Sequence, residues 1–247
     1  MPGNERASGA AGLSVPAALA TGGIEVLGAL PESSNAALLV RCVAPDDTCL
    51  AVYKPMRGEA PLWDFPDGTL HRREVAAFEL ARALGWPRVP PTVLRDGPFG
   101  PGSVQLFITF DPAEHFFTLE VEHAETFRRV ALFDLAVNNA DRKGGHCLLD
   151  EDGEIWVIDH GVCFAVEPKL RTVIWTFVDE PLPADAVGDL TRVRAQLEPG
   201  REVAEALGAL LAPDEVDATR ERIDRVIAEG RFPEPAPGVR PFPWPPI

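Results

Sequence analysis

Four side chains stand in an order that phosphoryl transfer would use. Lys54 ends the apolar run Cys49-Leu50-Ala51-Val52-Tyr53, where a strand can aim an ammonium at phosphate oxygens. Glu74 follows in a stretch of helical periodicity and could pair with that ammonium and orient it. Asp141 lies in the polar segment Asn138-Asn139-Ala140-Asp141-Arg142-Lys143-Gly144-Gly145-His146. A carboxylate on such a loop can accept or orient the proton of a substrate hydroxyl. Asp159 closes the apolar run Ile155-Trp156-Val157-Ile158 and precedes His160-Gly161. A carboxylate there is costly unless it leaves the core or binds a cation. Each residue alone has an ordinary explanation: a strand-end lysine, a solvated helix glutamate, an Asn-Asp turn, an Asp-x-Gly strand stop. Their joint order points to a site for ATP and a divalent cation.

The elements that would position them can be read from periodicity and turn chemistry. Strands are predicted over 24–30, 36–43 and 48–54, the first two around the polar turn Pro31-Glu32-Ser33-Ser34-Asn35. Residues 55–68 are a Pro-, Gly- and Asp-rich loop, and Thr69 is the predicted cap of a helix running to about residue 84. Gly85 stops that helix, and two more strands follow around Asp96-Gly97-Pro98-Phe99-Gly100-Pro101-Gly102. A loop over 112–119 leads to a long helix over 120–138, with Val121, Phe127, Val130 and Leu135 on or near its buried side. Asp141 comes next, then a β-hairpin that ends at Asp159, with short helices over roughly 186–229. The expected organisation is a tail over 1–21, a β-rich lobe with one helix over 22–104, a mainly helical lobe over 105–230, and a Pro-rich tail over 231–247. Phe242 and Trp244 are the expected anchors of that last tail.

Composition narrows the partners. The 247 residues include 38 acidic and 23 basic side chains, for a formal net charge of -15. That excess argues against a nucleic-acid binder, which needs a basic face, and against stable docking on an anionic membrane. Most of it falls after residue 104. Four cysteines without a CxxC pair suit reduced thiols and a cytoplasmic location.

At these residues the chain resembles the phosphatidylinositol 3-/4-kinase-related branch of the kinase superfamily, whose relatives include HipA-like and actin-fragmin-kinase-like enzymes. That branch carries Asp-Arg-x-x-x-Asn as its catalytic loop, and this chain reads Asp141-Arg142-Lys143-Gly144-Gly145-His146. The segments YKPMRGEAPLWDFPDGTL, GPFGPGSVQLF, NNADRKGGH and VIDHG together look like a bacterial phosphatidylinositol-kinase-related family. The resemblance implies an α+β bilobal protein-kinase-like fold. It implies that Lys54 touches the α- and β-phosphates with Glu74 holding it, and that Ser33, Ser34 and Asn35 cover the phosphates. The connector Gln105, Leu106, Phe107 and Ile108 would contact adenine through its backbone. Asp141 would be the catalytic aspartate with Arg142 supporting its loop, and Lys143 would face the transferred phosphate or the acceptor. Asp159 would hold Mg²⁺. His146 departs from the pattern, since imidazole is a poor replacement for an amide oxygen toward magnesium. Either Asn138 or Asn139 supplies the missing oxygen, or the site uses one metal or Mn²⁺, or transfer is impaired.

The expected function is transfer of the γ-phosphate of ATP to a hydroxyl on a small molecule or protein, with a nucleotide-binding pseudokinase as the rival. A zinc site from His146, Cys147, His160 and Cys163 is weaker, because adjacent strand residues point to opposite faces. The loop with Trp63 and Phe65 would fold over the nucleotide, line an acceptor pocket, or plug the lobe interface.

Overall fold

The computed structural model describes residues 14–30, 36–238 and 240–247. Ser33, Ser34 and Asn35 lie outside the described residues. A five-stranded antiparallel sheet forms the first lobe, in the order β1-β2-β3-β5-β4. Its strands are β1 (Gly23–Ala29), β2 (Leu38–Ala44), β3 (Asp47–Pro55), β4 (Thr92–Gly97) and β5 (Gly100–Leu106). Alternation along β3 buries Ala51, Tyr53 and Pro55 on one face. The short helix α1 (Ala17–Thr21) packs there, and Val40, Cys42 and Val104 complete that small core. Lys54 therefore points the other way, toward the cleft. Gly102, paired with Pro55 on the neighbouring strand, is required there: a Cβ would lie 2.5 Å from the Lys54 carbonyl oxygen.

The helix α2 (Leu70–Leu84) packs against β4 and β5. It ends at Gly85, whose φ of 87° lets its N–H reach the Ala81 carbonyl, the usual left-handed stop. Its start differs from expectation. Thr69 makes no capping hydrogen bond to the helix, and its hydroxyl donates to the Pro66 carbonyl. Glu59 takes over the role. Its carboxylate accepts from the N–H of Leu70 (3.1 Å) and of His71 (2.8 Å), and from His71 Nδ1 (2.6 Å). A full negative charge at a helix N-terminus outcompetes a hydroxyl for the unpaired N–H groups.

The second lobe comprises α3 (Phe116–Leu119), α4 (Ala124–Val137), α5 (Ala184–Gln196), α6 (Glu202–Gly208) and α7 (Pro213–Glu229), with the hairpin β6 (Cys147–Leu149) and β7 (Ile155–Val157). One large core joins them to α2, with Phe78, Phe127, Phe133 and Phe164 fully buried. Each such ring contributes roughly 1.5–3 kcal/mol through burial. Arg73 fixes α2 to this lobe. It is buried, donates to the Cys163 carbonyl (2.7 Å) and pairs with Glu215 of α7.

Three expectations are corrected here. The predicted long helix begins only at Ala124, and part of the expected loop before it is α3. Val121 sits in the turn between them and is 88% exposed. Residues 240–247 are held through backbone carbonyls rather than by Phe242 and Trp244, both of which are exposed. Pro241 accepts from the Thr172 N–H (3.0 Å) and Pro246 from the Gly144 N–H (2.8 Å). No helix among the described residues is long and apolar enough to cross a membrane.

Candidate active site

The cleft between the lobes is lined by Lys54, Glu74, Asp141, Asp159, Gly161 and Val162, among others. Lys54 Nζ pairs with Glu74 Oε1 and lies 2.9 Å from Asp159 Oδ1. Glu74 Oε2 accepts the His160 N–H at 3.0 Å, so this one carboxylate ties the β3 lysine to the Asp-His-Gly segment. Burial pulls the Lys54 ammonium down, but Asp159 and Glu74 together outweigh it and hold it above its ordinary value. The same ammonium, first among its causes, holds Asp159 well below the usual carboxylate range. Asp159 has a φ of 62°, an uncommon conformation for a residue with a Cβ and one that concentrates at functional sites. It turns the carboxylate out of the strand direction, leaving the side chain 44% exposed.

The Asp141 loop is built on the C-terminal turn of α4. Asn138 takes a φ of 53° and stops the helix. Its amide nitrogen donates to the Ala165 and Glu167 carbonyls and its oxygen accepts the Lys169 N–H. Asn139 is buried, donates to Asp134 Oδ1 and accepts the Asp141 N–H at 2.9 Å. Both asparagines thus spend their polar atoms on bracing the loop, which leaves Asp159 without an amide oxygen from either in this arrangement. Arg142 is 0% exposed and grips Asp134, also 0% exposed, through Nε and Nη2. Its remaining donors reach the Ile158 carbonyl (2.9 Å) and His160 Nε2 (2.8 Å). A single buried guanidinium therefore welds the loop of Asp141 to the segment of Asp159.

Asp141 keeps its carboxylate toward the cleft, 3.4 Å from Lys143 Nζ. Burial raises its pKa, with Asp159 adding to the rise and Lys143 and Arg171 opposing it. His146 faces Asp159 Oδ2 through Nε2 at 3.2 Å, while its Nδ1 accepts the Lys143 N–H at 3.4 Å. That arrangement puts the imidazole proton on Nε2, where it donates to Asp159. Burial, reinforced by the cations Arg142, Lys143 and Lys54, pushes His146 down to about 4 against the pull of Asp159.

A pH effect follows. The folded-state pKa of His146 lies below that of the unfolded chain, so its neutral form stabilises the fold above about pH 6.5, and this contribution is lost as pH falls through about 4. His160, also held well below its ordinary value by burial first, acts in the same direction. The urea midpoint is expected to fall between pH 6.5 and 4.5, before most carboxylates protonate. His146→Asn should remove part of that slope.

The connector leaves main-chain groups open. Gln105 donates its side-chain amide to Thr92, and the N–H groups of Leu106 and Phe107 go to the carbonyls of Pro91 and Leu50. The N–H of Ile108 has no hydrogen-bond partner among the described residues. In the loop after β3, Phe65 is buried with Leu70, Ala140 and Ala165, while Trp63 is 93% exposed. Asp64 pairs with Lys169 at 2.9 Å, and the Lys169 ammonium lies 5.3 Å from the Trp63 ring centroid. No group of three or more His, Cys, Asp and Glu among the described residues is gathered so as to hold a metal ion by itself, so the residues weighed for a zinc site do not converge.

Sequence reasoning missed Asp134, Glu59, Arg171 and the bracing role of the asparagines. Asp134 carried a signal, since it is an acid inside the apolar run of α4. Glu59 carried none, because its partners are set by the path of a loop.

No family model matches the chain. Protein Rv2133c of Mycobacterium tuberculosis (strain ATCC 25618 / H37Rv) is 36% identical over 264 aligned positions, covering 93% of this chain and 94% of that protein. The chain belongs to the family of Rv2133c. The chain is also similar to parts of two kinases. Phosphatidylinositol 4-kinase gamma 4 of Oryza sativa subsp. japonica is 29% identical over 124 residues, covering 42% of this chain but only 22% of that protein. The crystal structure of CtkA, a proinflammatory kinase of Helicobacter pylori, superposes with a TM-score of 0.53 at 11% identity, covering 85% of this chain and 93% of that one. The fold is thus kinase-like, with an antiparallel sheet in one lobe and helices in the other.

Proposed function

We propose that this member of the Rv2133c family is an ATP-dependent phosphotransferase acting on a hydroxyl. The observation that carries the reading is the ion-paired chain Glu74–Lys54–Asp159 across the cleft, with Asp141 on the facing loop. This arrangement of charge suits a polyphosphate.

Lys54 would neutralise phosphate charge, held at full protonation by its two carboxylates. The open N–H of Ile108 suits a base edge. Asp141 would orient the acceptor hydroxyl and take its proton, its basicity raised by burial. Lys143, already 3.4 Å from Asp141, would steady charge on the transferred group. Arg142 fits loop support and does not reach the reacting atoms. A divalent cation suits the exposed Asp159 carboxylate and would supply charge neutralisation between the phosphates when bound. His146 suits a hydrogen bond to that carboxylate better than metal ligation, because its Nε2 carries the proton.

The rival reading, a nucleotide-binding regulatory module, draws on one observation. Both Asp159 oxygens are engaged, by Lys54 and by His146, so a cation must compete for them. A thermal-shift assay with ATP and Mg²⁺ or Mn²⁺ tests the shared premise. Saturating nucleotide at about 100 times its Kd adds about 2.7 kcal/mol, which corresponds to a rise of roughly 5–10 °C. Asp159→Asn should remove the metal-dependent part of that rise. No shift with either metal would overturn both readings.

A further inference from the structure

Arg171 is a cation whose charge reaches Asp141 but whose guanidinium has no hydrogen bond or ion pair among the described residues. Its backbone is stitched into the Asp141 loop on both sides: its N–H donates to the Asn139 carbonyl and its carbonyl accepts the Arg142 N–H, each at 2.9 Å. Val173 continues the ladder by donating to the Arg142 carbonyl, so that Arg142 and Thr172 form a parallel bridge. The side chains of Arg142 and Thr172 are both buried beneath this ladder. Side chains alternate along extended segments, so Asp141, Lys143 and Arg171 share the opposite face. Arg171 is half-buried there, and its guanidinium makes no hydrogen bond or ion pair with any described residue. A partly desolvated guanidinium that feels Asp141 but makes no hydrogen bond to a carboxylate is costly, in a chain of net charge -15.

We infer that Lys143 and Arg171 form an anion-anchoring pair for the acceptor, which is a soluble small molecule carrying a phosphate or carboxylate a few atoms from the hydroxyl presented to Asp141. This rests on the phosphotransferase reading and names its substrate class. Arg171 would grip the anion in its planar fork, fixing the hydroxyl over Asp141, while Lys143 sits between the anchor and the transferred group. Pro241 and Pro246 border the ladder, their carbonyls accepting from the N–H groups of Thr172 and Gly144. The negative charge of the chain disfavours an anionic bilayer as the source of the anion, so a free acceptor is assigned.

The test titrates four probes into the full chain with ADP and Mg²⁺ present: glycerol, glycerol 2-phosphate, glycerate, and vesicles of phosphatidylglycerol. Saturable binding of glycerol 2-phosphate or glycerate, with glycerol binding undetected, is the expected result. Arg171→Gln should weaken that binding about 10- to 100-fold, and Arg171→Lys should recover part of it. The affinity for ADP should stay within about 2-fold in both variants. Equal binding of glycerol and glycerol 2-phosphate, or unchanged binding in Arg171→Gln, would overturn the assignment. Arg171-dependent binding of the vesicles alone would overturn the soluble acceptor. ADP binding is read in the same titrations, so loss of the nucleotide premise would show separately from loss of the anion site.

Discussion

Asp141→Asn is expected to lower the rate of phosphate transfer about 10²- to 10⁴-fold while leaving ATP affinity nearly unchanged. The substitution keeps volume and most of the loop geometry. The bonds that brace the loop come from Asn139, whose oxygen accepts the backbone N–H of residue 141, and not from the Asp141 carboxylate. What the variant loses is the proton acceptor and the ionic partner of Lys143. Single-turnover transfer and nucleotide titration on the same preparation separate the two effects. A full transfer rate in Asp141→Asn would remove Asp141 from its assigned role.

The second large effect is on stability. Asp134→Asn should cost about 3–5 kcal/mol, because it leaves the fully buried Arg142 without its carboxylate. Arg142→Gln should cost less. An orphaned aspartate can take up a proton, whereas a guanidinium cannot lose one, and Asp134 keeps the Asn139 amide as a donor. Burial pulls the Arg142 guanidinium down, but the charge of Asp134, helped by the hydrogen bonds it accepts, outweighs burial and holds the pKa above the ordinary value. Urea unfolding at pH 7 measures both variants. Equal losses in the two would mean that the hydrogen bonds, rather than the buried charge, dominate the pair. Because Arg142 also holds the Ile158 carbonyl and His160, either variant should loosen the Asp159 segment before the rest of the lobe.

The parts of this site that lie on regular elements were legible from the chain. Lys54 ends a strand with clear alternation, Glu74 falls inside a helix with a clean glycine stop, and Asp159 follows an apolar hairpin strand. Local propensity and patterning place such residues directly. What was not legible depends on loops. The α2 cap falls to Glu59 because the path of residues 56–69 brings a carboxylate to the helix end, and no local motif encodes that. Thr69 is the better cap by type and loses to a charge that arrives from elsewhere in the chain. The periodicity read through Val121 failed because residues 120–123 form a turn whose one apolar member, Val121, continues the helical count by coincidence. The two asparagines were weighed as metal ligands from their type, but Asn138 ends α4 in a left-handed conformation and Asn139 starts the loop. Their amides are consumed by the backbone groups that these changes of direction expose and by the Asp134 carboxylate. Arg171 was invisible in sequence, since its place beside Asp141 comes from a ladder between segments about thirty residues apart.

The central claim is that this cleft moves a phosphoryl group, and the fate of the γ-phosphate tests it most directly. Wild-type chain incubated with γ-labelled ATP, Mg²⁺ or Mn²⁺ and a small-molecule cell extract should move label into a new phosphorylated species, and Asp141→Asn should not. Nucleotide binding with the label remaining on ATP under both metals would contradict the account and leave the cleft as a nucleotide-sensing module.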